Sequence, residues 1–583
     1  MLKSVSSRIL ERIEARLHYL YGDSAHGLAN RLFMMIGRYG VGLDGYRTAH
    51  DEPWDERDIV LITYGDMIHA EGERPLQSLH RFVESRLGEA IRTIHILPFF
   101  PYSSDDGFSV KDYRVVDSAL GSWQDIEAMR GAYRVMADLV INHVSRHSAW
   151  FKDYVNDIAP YRHFFHEMDP ATDLSAVVRP RSLPLLTETP TRGGVKHVWT
   201  TFSDDQIDVN FAYPEVLFEY LDILLWYISK GVRIIRLDAI AFLWKVPGTN
   251  CIHLSQTHEV VKLIRDFLTM VAPDVWIITE TNVPHEENIS YFGDDDEAHM
   301  VYQFSLPPLL AHGLLSQDAS YLTRWAESLP ALTAQQTFFN FTASHDGVGV
   351  RPLQGLIPDH AFQQLLAHVE RVGGRVSYKR NSDGSDSPYE LNITYFGLFA
   401  EEPEQISPNQ VARFLSSQAI MLAMQGMPAI YFNSLFGACN DQLGVQASGQ
   451  NRRINRQKWP WPVLSEMLDD EASSHHEIFH AYLHLVQVRR SHAAFHPRGA
   501  QRVLTLHPQL FAIERIAPDR SERILCVTNF SAESLSLDLQ ACGGVWSKRR
   551  TLEELISDQL LSIRPATVSL APYQTVWLRV PTS

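Results

Sequence analysis

Cysteine is scarce and poorly placed for chemistry: Cys251, Cys439, Cys526 and Cys542 are the only four among 583 residues, and no two form a CxxC or zinc-like spacing. That excludes a disulfide framework and a cysteine-ligated metal, and it suits a reducing cytoplasm, where the chain is expected to reside. No run of 18 apolar residues occurs, so no membrane span is expected. An excess of basic residues is missing too. Lys and Arg number 52 against 69 Asp and Glu, a formal net charge of -17 spread without long runs, which disfavours nucleic acid and anionic membrane as partners. The N-terminus lacks the unbroken apolar core of a signal peptide, and Ile9, Ile13, Leu17, Leu20 and Tyr21 recur at helical spacing between Glu and Arg. An amphipathic helix is predicted there, packed on the body of the chain or on a second copy in a homodimer.

What is present is a 45% hydrophobic content, enough for a large core. Eight short β-branched or aromatic runs stand out, separated by helix-like segments. They are DIVLITY from Asp58, TIHILPF from Thr93, RVMADLVIN from Arg134, VRIIRLD from Val232, VWIITET from Val275, MVYQFSL from Met300, TFFNFTAS from Thr337 and MPAIYFN from Met427. Eight βα units predict an α/β fold, a (β/α)8 TIM barrel, whose chemistry sits at the C-terminal strand ends. The intervals after the third and seventh runs, roughly 90 residues each, are too long for simple loops and predict subdomains inserted over the mouth, at 149–205 and about 350–412. From Val503 the runs VLTLH, FAIERI, ILCVTNF, TVSLAP and TVWLRV predict a C-terminal antiparallel β domain over 503–583. The barrel is then expected over 55–148 and 206–502, behind an N-terminal helical extension over 1–54.

Polar residues load the strand exits: Tyr64 and Asp66, Asn142 and His143, Arg236 and Asp238, Glu280, His345 and Asp346. One ion pair at a strand end is ordinary, but charges at several exits would cost desolvation for little stability, which points to a site. Asp238 and Glu280 end adjacent strands. Two carboxylates about 5 Å apart suit retaining glycoside chemistry, one attacking the anomeric carbon and the other moving the proton. Arg236, two residues earlier and on the same strand face, is expected to keep Asp238 ionised as the nucleophile; Glu280, with no adjacent cation in sequence, is expected to hold a raised pKa as the acid. His143 and His345 are candidate donors to sugar hydroxyls, Asp346 a candidate for a 2-hydroxyl, and Phe108 a candidate to stack on a pyranose ring. Taken singly, a barrel histidine or a loop aromatic is more often packing.

The segments DLVINH (138–143), RIIRLDA (233–239), ITET (278–281) and FTASHD (341–346) resemble, in order, the four signature regions of the α-amylase superfamily, glycoside hydrolase family 13. LITYGD, HILPFF, VRPRSLP, FSLPPLLAH, SPYELNITY and NRRINR resemble segments of its sucrose phosphorylase subfamily, from about Asp55 onward. The resemblance implies a double-displacement transfer of glucose to phosphate rather than water, with Asp238 as nucleophile, Glu280 as acid/base and Asp346 as transition-state stabiliser. It implies an ion pair of Asp105 with Arg452 at the blind end of the glucose site, completed by His143, His345 and Arg236. It implies Arg181 and Tyr389 as phosphate binders, a guanidinium fork and a phenol donor. No metal or organic cofactor is implied, only inorganic phosphate as co-substrate.

Two positions depart from the sucrose-specific pattern. Asn282 stands where those members carry histidine, and Glu390 where they carry glutamine. The stretch TETNVPHEENISYFG together with SPYELNITY resembles instead the glucosylglycerate phosphorylases, whose acceptor is D-glycerate. Reversible phosphorolysis of glucosylglycerate is therefore expected, with sucrose, sucrose 6-phosphate and glucosylglycerol phosphorolysis as alternatives; a hydrolase or a barrel that only binds are the readings of other classes. Glu390 raises an objection, because it would repel the carboxylate of glycerate unless it faced the hydroxyls. A cation among Arg179, Arg181, Lys379 and Arg380 is expected to meet the acid.

Overall fold

Runs that are apolar on both faces can be satisfied only as strands covered on both sides, and the eight predicted runs form one closed parallel barrel. The structure, a computed structural model, describes residues 7–43, 54–181, 183–381, 384–403, 405–563 and 566–581. The strands are β1 (Val60–Thr63), β2 (Thr93–Ile96), β3 (Arg134–Val140), β4 (Val232–Asp238), β5 (Trp276–Thr279), β6 (Met300–Tyr302), β7 (Thr337–Phe341) and β8 (Met427–Tyr431). Each pairs with its neighbours in chain order, and β8 closes on β1.

Register decides which polar residues meet. Between β3 and β4, Asp138 stands opposite Arg236 and Val140 opposite Asp238. Between β4 and β5, Arg236 stands opposite Ile278 and Leu237 opposite Thr279, and one step beyond them the Glu280 N–H donates to the Leu237 carbonyl at 3.2 Å. Because residues two apart share a strand face, Asp138, Arg236, Asp238 and Glu280 project to the same side.

The two long intervals contain structure of their own. Between β3 and β4, the hairpin Leu186–Thr191 and Gly194–Trp199 accompanies a short pairing of His143–Ser145 with Gln206–Asp208, and Leu174, Val177, Leu185 and Trp199 form a separate small core with Cys251 from the loop after β4. Between β7 and β8 lie the helix Asp359–Arg371 and a three-stranded sheet in the order Val348–Gly349, Asp386–Asn392, Arg375–Arg380. Toward the C-terminus the five expected runs join a six-stranded antiparallel sheet and a two-stranded one. The sequence reading missed Leu535–Asp538, Thr551–Glu554 and Gln559–Ser562, four-residue strands in which exposed and half-exposed polar side chains dilute the apolar alternation. Among the described residues no helix is long and apolar enough to cross a membrane.

The predicted N-terminal helix spans Ser7–Tyr21 and packs on the body of the chain. Ile13 and Leu17 are buried, and the buried Arg16 pairs with Asp266 at 2.8 Å, Asp296 at 2.9 Å and Glu259 at 3.1 Å. Residues 1–6 and 44–53 of the predicted extension lie outside the described residues.

Two buried arginines gather the carbonyls around one helix end, and Arg515 links that end to the C-terminal sheet. The helix Pro408–Ala423 leaves its last carbonyls without helical partners. Arg489 Nε donates to the Leu422 carbonyl at 2.9 Å, its Nη2 to the carbonyls of Phe495 at 3.1 Å and Gly426 at 3.2 Å, and its Nη1 to that of Glu56. Arg515, from the strand Leu510–Ile516, donates to the carbonyls of Ala423 at 2.7 Å and His496 at 2.8 Å. Cations at this helix end are favoured by its dipole, although burial, with the charge of Arg515 adding to it, pushes the Arg489 guanidinium down to about 9. Replacing Arg489 by methionine strands these carbonyls and is expected to destabilise the fold by on the order of 3 kcal/mol, read by urea unfolding at neutral pH. Stability within about 0.5 kcal/mol of wild type would contradict this role.

Candidate active site

One cleft at the barrel mouth gathers Asp105, Phe108, His143, Arg181, Asp238, Glu280, Asn282, His345, Asp346, Tyr389, Glu390 and Arg452. Of the residues predicted for the glucose site, Arg236 is absent from its wall, because it lies beneath the floor with 3% of its side chain exposed. Both inserted segments contribute to the wall, Arg181 from the first and Tyr389 and Glu390 from the second.

The floor is a chain of charges across three strands. Arg236 Nη1 pairs with Asp238 Oδ1 at 2.6 Å and with Asp138 Oδ1, its Nε donates to the Tyr302 hydroxyl at 3.2 Å, and its Nη2 lies 3.9 Å from Glu280 Oε2. Asp138 is held in turn by His95 Nε2 at 2.7 Å. Burial alone would raise Asp138, but Arg236 and His95 outweigh it and hold its carboxyl down at about 2. Asp238 behaves differently. Burial pushes its carboxyl well above the ordinary range, Arg236 opposes that shift, and the charge on Glu280 adds to it. Burial likewise raises Glu280, with Arg236 opposing and Asp346 adding.

The expectation that Arg236 by itself keeps Asp238 ionised is therefore corrected: its single charge is shared with Asp138, and burial, which no local spacing encodes, opposes it. Asp238 and Glu280 titrate as a pair that retains a proton to higher pH than free carboxylates would. The guanidinium decides where that proton sits. It bonds Asp238 at 2.6 Å but stands 3.9 Å from Glu280, so the charge is favoured on Asp238 and the proton on Glu280. Glu280 Oε2 also accepts the Ala239 N–H at 3.1 Å, which fixes its position beside Asp238.

Around this floor the predicted residues take partners of their own. Arg452 Nη1 pairs with Asp346 Oδ1 at 2.6 Å, while its Nε and Nη2 grip Glu390 at 3.0 and 2.7 Å. Among the described residues no ion pair joins Arg452 to Asp105, contrary to expectation, because its guanidinium is committed to those two acids. Asp105 feels it through space: burial would raise its carboxyl, but Arg452, Arg181 and Arg456 hold it well below the usual range. Phe108 does not wait for a sugar ring. It stacks on the His345 imidazole, 4.7 Å between centroids and 7° between planes, and so supports the histidine. His143 Nε2 faces the Phe108 carbonyl at 3.0 Å, which engages the donor that the sequence reading assigned to a sugar hydroxyl. Burial pushes both imidazoles below their ordinary pKa, so they are neutral at pH 7. Tyr64, Asp66 and Asn142, also singled out at strand exits, are structural: Tyr64 packs edge-on against His345, Asp66 pairs with Lys458, and Asn142 bonds Asp208 at 3.0 Å and Lys245 at 3.0 Å.

Residues 87–347 match the alpha-amylase family, catalytic domain. The chain is 47% identical to a glucosylglycerate phosphorylase of Spirochaeta thermophila across 98% of each protein, and 43% identical to one of Escherichia coli K12 across 90% of this chain and 92% of that one. The chain belongs to the glucosylglycerate phosphorylase family. A solved sucrose 6F-phosphate phosphorylase from Thermoanaerobacter thermosaccharolyticum shares the fold, with a TM-score of 0.71 at 23% identity over 81% of this chain and 94% of that one.

Glu390, one of the two positions that separate this family member from the sucrose pattern, is buried and neutralised by Arg452, with a further bond from the Gly347 N–H at 2.9 Å. The objection that it repels an acidic acceptor weakens, because both its oxygens already accept hydrogen bonds from the Arg452 guanidinium. Gly347 must be glycine, since a Cβ there would lie 2.5 Å from the Leu391 carbonyl and 2.6 Å from the Glu390 side chain. Arg181 has no ion-pair partner among the described residues, and Tyr389 is pushed up to about 12 by burial, Arg181 opposing, so it is a protonated donor at neutral pH. Of the cations proposed to meet the acid, Arg380 is exposed and paired with Asp386 at 2.6 Å, and neither Arg179 nor Lys379 is among the cleft-lining residues.

Sequence reasoning missed several contributors. Asp138 was quoted only within DLVINH, although an acid in mid-strand needs a buried partner. Arg456 donates through Nε to the His345 carbonyl at 2.7 Å and pairs with Asp106 at 2.6 Å, yet in NRRINR only Arg452 was singled out. Arg351, also on the cleft wall, carried no local signal at all. Among the described residues no group of three or more His, Cys, Asp or Glu side chains is arranged to hold a metal ion.

Proposed function

We propose that the chain is a retaining phosphorylase that converts 2-O-α-D-glucosyl-D-glycerate and phosphate reversibly into α-D-glucose 1-phosphate and D-glycerate. The observation that carries this is the pair Asp238 and Glu280, both within 3.9 Å of one guanidinium on the floor of a cleft whose walls also bear Arg181 and Tyr389. An Asp238 oxygen attacks C1 of the glucosyl unit, and the bond from C1 to O2 of glycerate breaks as Glu280 delivers its proton to that oxygen. Phosphate then enters on the vacated side. One of its oxygens attacks C1, the bond to Asp238 breaks, and Glu280 takes up any proton the phosphate releases, so that two inversions return the α configuration. Arg181 and Tyr389 hold the phosphate by a charge-assisted fork and a phenol hydrogen bond. Asp346, next to the neutral His345 and paired with Arg452, receives the 2-hydroxyl as oxocarbenium charge develops. Inorganic phosphate is the co-substrate, no metal or organic cofactor is required by these steps, and the cytoplasm, with its free phosphate, is the compartment that suits them.

Incubating the purified protein with α-D-glucose 1-phosphate and D-glycerate, fructose, fructose 6-phosphate or glycerol tests the reading. Phosphate release is expected with D-glycerate at a kcat/KM about 100-fold or more above the other acceptors. Release with fructose and not with glycerate would reassign the acceptor and leave the double displacement standing.

A further inference from the structure

Three arginines line the cleft, and only one of them lacks an assignment. Arg452 is saturated by Asp346 and Glu390, and Arg181 acts on Asp105 and Tyr389, the groups of the glucose and phosphate end. Arg351 belongs to neither set. It is 18% exposed in its side chain, and its one acid among the described residues is Glu287, whose Oε2 lies 3.7 Å from Nη2, beyond hydrogen-bond reach, and already accepts from His253 at 3.1 Å. Lys379, on the outer strand Arg375–Arg380 of the three-stranded sheet, is half-buried, and both that burial and the charge of Arg351 push its pKa down. Glu287 offsets the charge of Arg351 without bonding it, so among the described residues the guanidinium donors stay open to a ligand, with Lys379 as a second cation nearby.

The position of Arg351 is fixed relative to the reacting bond. Glu280 is followed two residues later by Asn282, whose amide packs so closely on Gly349 that a Cβ there would come within 2.5 Å of it. Gly349 in turn stands two residues before Arg351, and the Val350 N–H donates to the Tyr389 carbonyl at 3.1 Å. The chain from the acid/base to Arg351 is therefore short and rigid, and it runs along the wall of the cleft. Asn282 Oδ1 is buried there without a hydrogen-bond partner among the described residues, an acceptor open to a ligand hydroxyl.

We propose that Arg351 receives the carboxylate of the acceptor, with Asn282 on an acceptor hydroxyl, and that this pair makes the enzyme select a 2-hydroxy acid over a neutral polyol. The proposal rests on the phosphorylase reading above and specifies its acceptor subsite. The chemistry matches in scale. In a 2-O-glucosyl acid the carboxylate carbon is two bonds from the oxygen that Glu280 protonates, so a guanidinium about 3 Å beyond that carboxylate belongs in the wall next to the acid/base. Phosphate and carboxylate then use different cations, Arg181 and Arg351, rather than one site in turn. This also gives Glu390 its place: it faces Arg452, on the glucose side, and does not meet the acceptor acid.

The test compares wild type, Arg351→Gln and Arg351→Lys, with α-D-glucose 1-phosphate as donor and D-glycerate or glycerol as acceptor. Arg351→Gln is expected to lower the ratio of kcat/KM for D-glycerate to that for glycerol about 30-fold or more, chiefly through KM for glycerate, and Arg351→Lys is expected to restore part of it. An arginine that only supported the loop would depress both acceptors together and leave the ratio unchanged; that result, or an unchanged KM for glycerate, would overturn the assignment of Arg351. A wild-type enzyme that fails to use D-glycerate would overturn the function proposed above as well, which keeps the two failures distinguishable.

Discussion

Replacing Asp238 by alanine is expected to lower phosphorolysis on the order of 10^5-fold, with α-D-glucose 1-phosphate and glucosylglycerate affected alike, because both donors must glucosylate the same oxygen. The loss should not come from unfolding. Arg236 keeps Asp138 as a buried counter-charge and Tyr302 as a hydrogen-bond partner, so the change leaves no unpaired guanidinium. The vacated space suggests a positive readout. Azide placed where the carboxylate stood can displace phosphate from α-D-glucose 1-phosphate once, and a single inversion gives β-D-glucosyl azide. Turnover of the variant within tenfold of wild type would remove Asp238 from the chemistry.

The floor is legible in the amino-acid sequence for a physical reason, and the places where it is not have one too. β3 to β5 are strands buried almost throughout, so their runs are dominated by apolar residues and their ends are sharp; a charged residue at such an end is conspicuous, and Asp238 and Glu280 could be found from the pattern alone. Burial and long-range pairing are not written locally. Arg236 precedes Asp238 by two residues, and the sequence shows that contact; it does not show that Asp138, 98 residues away, competes for the same guanidinium. For the same reason Arg452 was assigned to Asp105 when Asp346 and Glu390 hold it, and Phe108 was assigned to a sugar when His345 lies on its face. Arg351 is the extreme case. Its meaning depends on Asn282 meeting Gly349 and on Glu287 standing too far away to bond it, relations between segments that no spacing in RPLQG announces.

Replacing Glu280 by glutamine is expected to separate the two donors that the Asp238 change treats alike. Glycerate leaves as an alcohol and needs its oxygen protonated, so phosphorolysis of glucosylglycerate should fall by about 10^3-fold to 10^4-fold. Phosphate leaves as a stable anion without that help, so α-D-glucose 1-phosphate should still glucosylate Asp238. Azide needs no deprotonation to attack this intermediate, and two inversions then give α-D-glucosyl azide, the opposite anomer to that from Asp238→Ala. The pH profile follows from the pair. In wild type the working form holds one proton, on Glu280; raising pH through the upper apparent pKa removes it and lowers the rate with glucosylglycerate, while lowering pH through the lower one protonates Asp238 and lowers the rate again. Because burial, with each group's neighbouring acid adding to it, raises both carboxyls, the bell should stand to the alkaline side of free carboxylates. In Glu280→Gln the azide reaction should lose its alkaline limb and keep the acid one close to its wild-type pH, since that limb is the protonation of Asp238 beside an uncharged partner in both enzymes. A variant that still phosphorolyses glucosylglycerate within tenfold of wild type, or that yields the β azide, would mean that another group carries the proton.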